Sequence, residues 1–215
     1  MKNQFVLRKP EYRIRLFLSV DLTGSTNFKS SDSSTFRWLK AFQKFYGEFP
    51  ALFQKKYVEV SGSIPDLSAD EKAQIPKVWK TVGDEILFVN RVHSITQLGA
   101  YVSAFSGALK EFGQEIHGIH KLNTKGNAWV AAFPSPNCSI SLSIGTNQDP
   151  ISGGNELLTE DFERKVDETP RDYDFLGKGI DSGFRIARNS SVLSLTLVTD
   201  FREFHRVCPA RGVRG

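Results

Sequence analysis

Short apolar runs that suit strands alternate along the chain with longer stretches that have helical spacing. The first run, residues 14–20, is apolar with β-branched and aromatic members and predicts a buried strand. It stops at Asp21, and Gly24, Ser25 and Thr26 then favour a turn whose backbone N–H groups face outward. Two interpretations of Asp21 stay open. It caps a following helix, or it holds a cation beside an anionic ligand.

Two stretches have apolar residues at intervals of three and four, which is typical of amphipathic helices. The first follows the cap-forming residues 30–35 and contains an aromatic stripe from Phe36 to Phe53 that suits packing beneath a sheet. We expect Pro50 to kink or end this helix near Phe49. The second stretch covers residues 92–112, with Gly113 as its stop.

The clearest local signal is a hairpin over residues 78–90, where Gly83 and Asp84 join two apolar runs. Asp84 then either makes only the turn or places a second carboxylate at a functional tip. Further strands are predicted at 128–133, 140–144 and 192–199, a solvated charged helix at 156–169 and a short helix at 182–188. We therefore expect an α/β (α+β) fold, a largely antiparallel sheet with helices on one face.

Composition indicates one folded domain, residues 1–215, with a core at about 13–200 and a surface loop or insertion at about 61–76. The sequence has no apolar stretch of the roughly 20 residues that cross a bilayer, and no secretion signal. Cys138 and Cys208 lie in no metal-ligand spacing. We expect a cytoplasmic protein without a membrane partner.

The net charge of +4 allows an anionic partner, with mild basic concentrations at residues 8–15 and 202–214. Because no dense basic tract with interleaved aromatics is present, a nucleoside triphosphate is favoured over nucleic acid. Asp21 and Asp84 are two strand-associated carboxylates, the pair that a two-metal phosphoryl-transfer site requires.

Three segments resemble motifs of the class III nucleotidyl cyclase catalytic domain, the family of adenylyl and guanylyl cyclases. Residues 17–26, Phe-Leu-Ser-Val-Asp-Leu-Thr-Gly-Ser-Thr, resemble its first metal motif, and residues 80–84, Lys-Thr-Val-Gly-Asp, its second. Residues 174–185 resemble its base-reading segment, in which Asp174, Asp181 and Arg185 have the family's intervals (181 − 174 = 7 and 185 − 181 = 4). The resemblance covers most of residues 14–200.

The resemblance implies a ferredoxin-like class III cyclase sandwich, two divalent metal ions (Mg²⁺ or Mn²⁺) and a head-to-tail homodimer with shared active sites. Metal ligands would be Asp21, the Leu22 carbonyl and Asp84. Substrate would contact Lys80, Asp174, Gly24, Ser25 and Thr26, while Arg185 stabilises the α-phosphate and Asp181 positions the ribose. Asp181 replaces the family's asparagine. The resemblance gives no match for the family's further phosphate-binding lysine, so we expect Lys178 or Arg188 to be the candidates for that role.

The lone domain, Asp181 and the insertion resemble the stand-alone pyrimidine cyclases of the bacterial Pycsar anti-phage system. We therefore expect UTP to be converted to cyclic UMP, a second messenger for a separate effector. Adenylate or cytidylate cyclase activity is the alternative. Diguanylate cyclase activity is suggested only by residues 83–87, Gly-Asp-Glu-Ile-Leu. A non-catalytic nucleotide-binding or nucleic-acid-binding module would leave the carboxylates without a role.

Overall fold

A five-stranded sheet in the order β2-β3-β1-β4-β7 organises the fold. The computed structural model describes residues 10–31, 35–142, 159–187 and 195–198. The strands of this sheet are β1 Arg13–Thr23, β2 Val78–Val82, β3 Glu85–Val92, β4 Asn123–Phe133 and β7 Leu195–Val198. The β4-β7 pairing is parallel and the other three are antiparallel. The predicted mostly antiparallel sheet is confirmed.

The remaining elements surround that sheet. The helices are α1 Ser25–Ser31, α2 Thr35–Gly62, α3 Ala69–Ala73, α4 Ile95–His120, α5 Glu160–Glu168 and α6 Lys178–Ala187, with a 3₁₀ turn at Pro170–Asp172. Strands β5 Cys138–Ser141 and β6 Tyr173–Leu176 form a separate two-stranded sheet. Residues 128–133 and 140–141 are thus strands as predicted, but they lie in different sheets because β5 pairs with β6.

Side chains alternate across β1, so both faces of the sheet are buried. Leu16 and Leu18 join the buried aromatic stripe of α2 and the apolar face of α4. Phe17 points the other way, into a cluster with Trp79 and Trp129 that α5, α6 and the small sheet cover. The prediction of helices on one face was therefore wrong, because each face of the sheet carries a large aromatic cluster that helices shield from water.

Helix α2 runs through Pro50 as one 28-residue helix, so the predicted end near Phe49 is wrong. A proline inside a helix costs about 3 kcal/mol or more. Phe45, Phe49 and Phe53 lie on both sides of it and are completely buried. Burying each of these side chains stabilises the fold by about 1.5–3 kcal/mol, and together they outweigh the proline.

Helix α4 likewise passes its predicted stop at Gly113 and ends at His120. Ile116, one turn later, is fully buried, so the apolar face continues. Lys121 ends the helix in the left-handed region, with φ of 58°, and its N–H donates to the His117 carbonyl at 3.0 Å. Apolar burial rather than a glycine sets this boundary.

Residues 61–76 are not simply a surface loop. Helix α2 extends to Gly62, and α3 begins with a capping box between Ser68 and Glu71. Leu67 and Glu71 are buried, and the Glu71 carboxylate accepts from the Ser94 hydroxyl that caps α4. The segment therefore ties α3 to the start of α4.

Helix α5 confirms a helix in the charged segment, but it is not wholly solvated. Phe162 and Val166 are buried against the sheet, and Glu163 is 1% exposed. Arg15, also buried, bonds the Glu163 carboxylate at 2.7 Å and Asp167 at 2.8 Å through Nε. Arg13 pairs with Glu160 and Asp167 in the same way. These two arginines fasten α5 to β1, so their charge is not free for an anionic partner.

Candidate active site

Asp21 lies within β1, two residues before the strand ends at Thr23. Helix α1 begins only at Ser25, after Gly24 has turned the chain with φ of 92°. The helix-cap interpretation of Asp21 is therefore wrong, since strand pairing on both sides fixes its backbone. Its side chain is about one-fifth exposed, at 21%, and faces the sheet side opposite α2.

Asp84 lies at the tip of the β2-β3 hairpin, as predicted, and Gly83 makes the turn with φ of 62°. Its backbone carbonyl accepts from the Leu22 N–H at 3.1 Å, and its carboxylate accepts from the hydroxyl of buried Ser25. Tyr46 of α2 donates to the Gly83 carbonyl. These bonds hold the hairpin tip against the β1-α1 turn and bring the two carboxylates together.

Three charged side chains lie side by side in the ladder on this face: Glu85, Asp21 and Lys125. Asp21 is directly opposite Glu85 on β3 and opposite Lys125 on β4. The Lys125 ammonium lies 3.1 Å from the Asp21 carboxylate. Sequence reasoning missed Lys125, because the polar run Asn-Thr-Lys-Gly-Asn at the start of β4 is typical of a loop.

Burial raises the pKa of Asp21 above its ordinary value, against the hydrogen bond from Lys125, and the charge of Asp84 adds to the rise. Burial likewise raises the pKa of Glu85, against a hydrogen bond from Ser19, with the charge of Asp21 adding to it. The negative charge here is thus only partly compensated by protein groups. A cation would relieve it.

The donor set suits a hard divalent cation. Mg²⁺ binds proteins through one or two carboxylates and completes its shell with waters and substrate phosphates. Asp21 and Asp84 supply such a pair, although the described residues contain no cluster of three or more histidine, cysteine or acidic side chains placed to hold a metal alone. Mg²⁺ or Mn²⁺ therefore fits this site as an ion shared with a phosphate ligand rather than as a structural ion.

Lys80 and Asp174 form a second group. A bulge in β2 between Val78 and Lys80 turns Lys80 toward the same sheet face as Trp79. The ammonium lies 2.8 Å from the Asp174 carboxylate and 4.0 Å from the centre of the Trp79 ring. Both charged side chains are about one-third exposed. The pair thus presents one donor and one acceptor next to an aromatic wall.

Helix α6 carries Asp181 in its first turn and Arg185 in its last, and both side chains are exposed. Its inner face packs on the sheet: Phe184 lies 5.3 Å from the Trp129 ring, and Gly183 touches that ring directly. Asn137, after β4, accepts from the Gly179 N–H at 2.9 Å and fixes the start of the helix. The positions of both functional candidates therefore depend on this seating.

The predicted site residues thus fall into two groups. Asp21, Leu22, Gly24, Ser25, Thr26 and Asp84 gather at the β1-α1 turn and hairpin tip, while Lys80 and Asp174, with Asp181 and Arg185, lie on or beside β6 and α6. Across the described residues, hydrogen bonds and ion pairs join members within each group and not between groups. Of the two terminal-phosphate candidates, Lys178 is exposed at the start of α6, and Arg188 lies outside the described residues.

Solved nucleotidyl cyclases have a similar fold. The chain matches the adenylyl cyclase CyaB from P. aeruginosa with a TM-score of 0.56 and 11% identity, over 92% of this chain and 81% of that one. It matches the guanylate cyclase domain of RhGC from Catenaria anguillulae, solved with GTP, with a TM-score of 0.54 and 12% identity, over 94% and 86%. A dimeric guanylyl cyclase domain from Blastocladiella emersonii gives 0.54 and 12%, over 92% and 84%.

Neither a family model nor a curated protein sequence matches the chain. The structural likeness, at this low identity, confirms the predicted class III cyclase fold and leaves the activity to be argued from the site. Among the described residues, no helix has the length and apolar character needed to cross a membrane.

Proposed function

We propose that the protein is a metal-dependent nucleotidyl cyclase, which converts a nucleoside triphosphate to a 3′,5′-cyclic nucleotide and pyrophosphate. The observation that carries this proposal is the closeness of the Asp21 and Asp84 carboxylates, with Asp84 held by the Ser25 hydroxyl, on a fold similar to that of solved cyclases. A purely structural turn has no need for a second carboxylate beside Asp21, whose pKa is raised by burial and further by the charge of Asp84.

Asp21, Asp84 and the Leu22 carbonyl would hold two divalent ions, Mg²⁺ or Mn²⁺. Such ions lower the pKa of the attacking 3′-hydroxyl and neutralise the leaving pyrophosphate. The backbone N–H groups around Gly24, Ser25 and Thr26 would lie beside the phosphates. Arg185 would donate to the α-phosphate oxygens as negative charge develops there, and Asp181 would accept from the ribose.

The second group of residues would act from another copy of the chain. Lys80, Asp174, Asp181 and Arg185 are exposed or partly exposed, and Lys80 pairs with Asp174 rather than with Asp21. A head-to-tail homodimer would face these residues toward the metal carboxylates of its partner. Mixing an Arg185→Ala protein with an Asp21→Ala protein should then recover part of the activity, up to about one site in each mixed dimer. No recovery would count against a shared site.

UTP is the substrate we propose, with cyclic UMP as a messenger for a separate effector in anti-phage defence. The Lys80–Asp174 pair, beside the Trp79 ring, is compatible with uracil, because it offers a donor for O4 and an acceptor for N3–H. Adenine and cytosine also present one donor and one acceptor, so ATP and CTP are the competing substrates. Protection of bacteria from phage by the wild type and equally by Asp84→Ala would refute the messenger role.

The substrate experiment uses each of ATP, GTP, CTP and UTP separately with Mn²⁺ or Mg²⁺, and product masses are measured. Cyclic UMP should be the major product, and Asp84→Asn should produce none while its thermal unfolding stays close to that of the wild type. If a different cyclic nucleotide is the major product, the proposed UTP specificity is wrong and the cyclase activity stands. Absence of every cyclic product would refute the proposed cyclase activity.

A further inference from the structure

A polar cleft lies between β3, α5 and the segment before β2, away from the candidate active site. Its volume is about 280 Å³, and its lining consists of charged and amide side chains: Gln74, Lys77, Asn90, Arg91, His93, Arg164, Asp167 and Glu168. Arg91 is six positions beyond Glu85 along β3, which places the cleft about 20 Å from the candidate metal carboxylates. We propose that this cleft binds a small phosphorylated metabolite. The inference goes beyond the cyclase reaction and does not depend on it.

Strand pairing concentrates positive charge beside the cleft. Arg15 of β1 is directly opposite Arg91 of β3, and Arg13 lies two residues earlier on the same face of β1. Like charges directly opposite each other destabilise a ladder, so an anion is needed between them. The Asp167 carboxylate of α5 accepts from Arg13 at 2.7 Å and from Arg15 at 2.8 Å. Arg91 approaches that carboxylate only to 3.9 Å, so it is the arginine left without a close partner on α5.

Lys77 is the second cation of the cleft that lacks a carboxylate partner. Its ammonium donates to the backbone carbonyl of Asp167 at 2.7 Å, and it takes part in no ion pair among the described residues. Its backbone N–H donates to the side chain of buried Asn90 at 3.2 Å, which fixes Lys77 beside β3. An ammonium carries three N–H donors, so two of them remain for a ligand.

The other charges at the cleft are weakly held or cancel each other. Arg164 pairs with Glu168 at 3.5 Å on the exposed rim. Glu11 lies 3.4 Å from Arg91, but its side chain is 70% exposed, and such exposed pairs contribute little. An incoming anion that displaces Glu11 therefore meets two uncompensated cations, Lys77 and Arg91. Two positive charges match the near-dianion of a phosphate monoester at neutral pH better than a single carboxylate.

The size and the remaining lining of the cleft favour a small ligand. Ligand pockets commonly have volumes of about 300–1,000 Å³, so this cleft is at the small end of that range. The Gln74 amide lies 2.9 Å from Nε2 of the His93 ring, and together they form a polar wall. The cleft therefore suits one phosphate group with a short polar body.

His93 provides a reporter inside the cleft. Partial burial of its ring and the charge of Arg91 lower its pKa, and Arg13 acts in the same direction. The carboxylates of Asp167 and Glu71 oppose this effect. A phosphate bound beside the ring would favour the imidazolium and raise the pKa.

The test measures binding of glycerol 3-phosphate and of succinate by calorimetry, with a metal chelator present. The chelator excludes a phosphate held by a metal at Asp21. Lys77→Met and Arg91→Met each remove one charge and keep an unbranched side chain. Lys110→Met, at an exposed position of α4, is the matched control. Thermal unfolding checks the fold of each variant.

The wild type should bind one glycerol 3-phosphate per chain, more tightly than succinate. Lys77→Met and Arg91→Met should each bind it roughly tenfold more weakly, the loss expected for a hydrogen bond to a charged group. Lys110→Met should match the wild type. In nuclear magnetic resonance titrations of the wild type, glycerol 3-phosphate should raise the pKa of His93 and leave that of His117, an exposed residue near the end of α4, unchanged.

Equal affinities in the wild type and all three variants would overturn the proposal. An unchanged pKa of His93 would do so as well, and that measurement needs no variant. Succinate binding as tight as that of glycerol 3-phosphate would overturn the assignment to phosphate. None of these readouts involves cyclic nucleotide formation, so a failure of the cyclase proposal would leave them unaffected.

Discussion

Replacing Gly183 with alanine tests how α6 positions the proposed catalytic groups. A Cβ on Gly183 would lie 2.3 Å from Cε2 and Nε1 of Trp129, where ordinary contact begins at 3.4 Å. Trp129 is 2% exposed and stacks on Phe17 at 5.4 Å between ring centres, so the indole has no space to retreat. Helix α6 must therefore move outward by about 1 Å, the difference between these contact distances.

Overpacking of this kind costs about 1–3 kcal/mol, more than the roughly 1 kcal/mol that alanine gains over glycine inside a helix. For a chain of this size we expect the melting temperature to fall by about 2–8 °C. Asp181 and Arg185 flank Gly183, and a 1 Å displacement of positioning groups can cost about 100-fold in rate. The activity loss should therefore exceed what the modest loss of stability explains.

The assay compares thermal unfolding and cyclic nucleotide formation in Gly183→Ala and in Gly118→Ala. A Cβ on Gly118, at an exposed position of α4, meets nothing within 4 Å, so this control should be unchanged or slightly stabilised and fully active. Wild-type stability and activity in Gly183→Ala would refute the described seating of α6. Lower stability with full activity would keep the seating and refute its role in placing the catalytic groups.

Three other variants test separate parts of the fold and site. Arg15→Met should cost about 3–5 kcal/mol in denaturant unfolding, because the buried Glu163 loses its partner; a cost below about 1 kcal/mol would contradict this. Asp21→Asn should abolish turnover yet stabilise the metal-free protein at pH 7. Because the pKa of Asp21 is raised in the folded state, the wild type loses stability as the pH rises from about 3.8. Equal stability of the wild type and Asp21→Asn at pH 7 would contradict this reasoning. Burial and the neighbouring Tyr57 raise the pKa of Tyr101, so wild-type stability should fall above pH 10 as the unfolded chain ionises. Melting curves from pH 8 to 11 should show a shallower fall in Tyr101→Phe, and an identical slope would oppose this.

The sequence predicted those parts of the fold that local chemistry decides. The apolar run of β1 and the Gly83-Asp84 turn were enough to place both metal candidates, since a buried strand and a two-residue hairpin depend mainly on their own residues. Helix ends at Pro50 and Gly113 were wrong, because local propensity is weaker than the burial of an aromatic stripe.

The remaining parts depend on pairing that distant segments decide. The sequence alone suggests that Arg15 is a surface charge. Its buried partner Glu163 is 148 positions away in the chain, so no local pattern shows that Arg15 has a structural role. Lys125 reads as part of a loop, and only the β1-β4 register brings it to Asp21. Such contacts follow from tertiary packing and have no local signature.

Measuring pyrophosphate and cyclic nucleotide together, from the nucleoside triphosphate that the wild type uses best with Mn²⁺, tests the proposed cyclase reaction most directly. We expect this reaction to give equal amounts of 3′,5′-cyclic nucleotide and pyrophosphate, and Asp84→Asn to give neither product, because one of the two proposed metal carboxylates is lost. Release of phosphate with a nucleoside diphosphate, or no reaction with any of the four triphosphates, would contradict it.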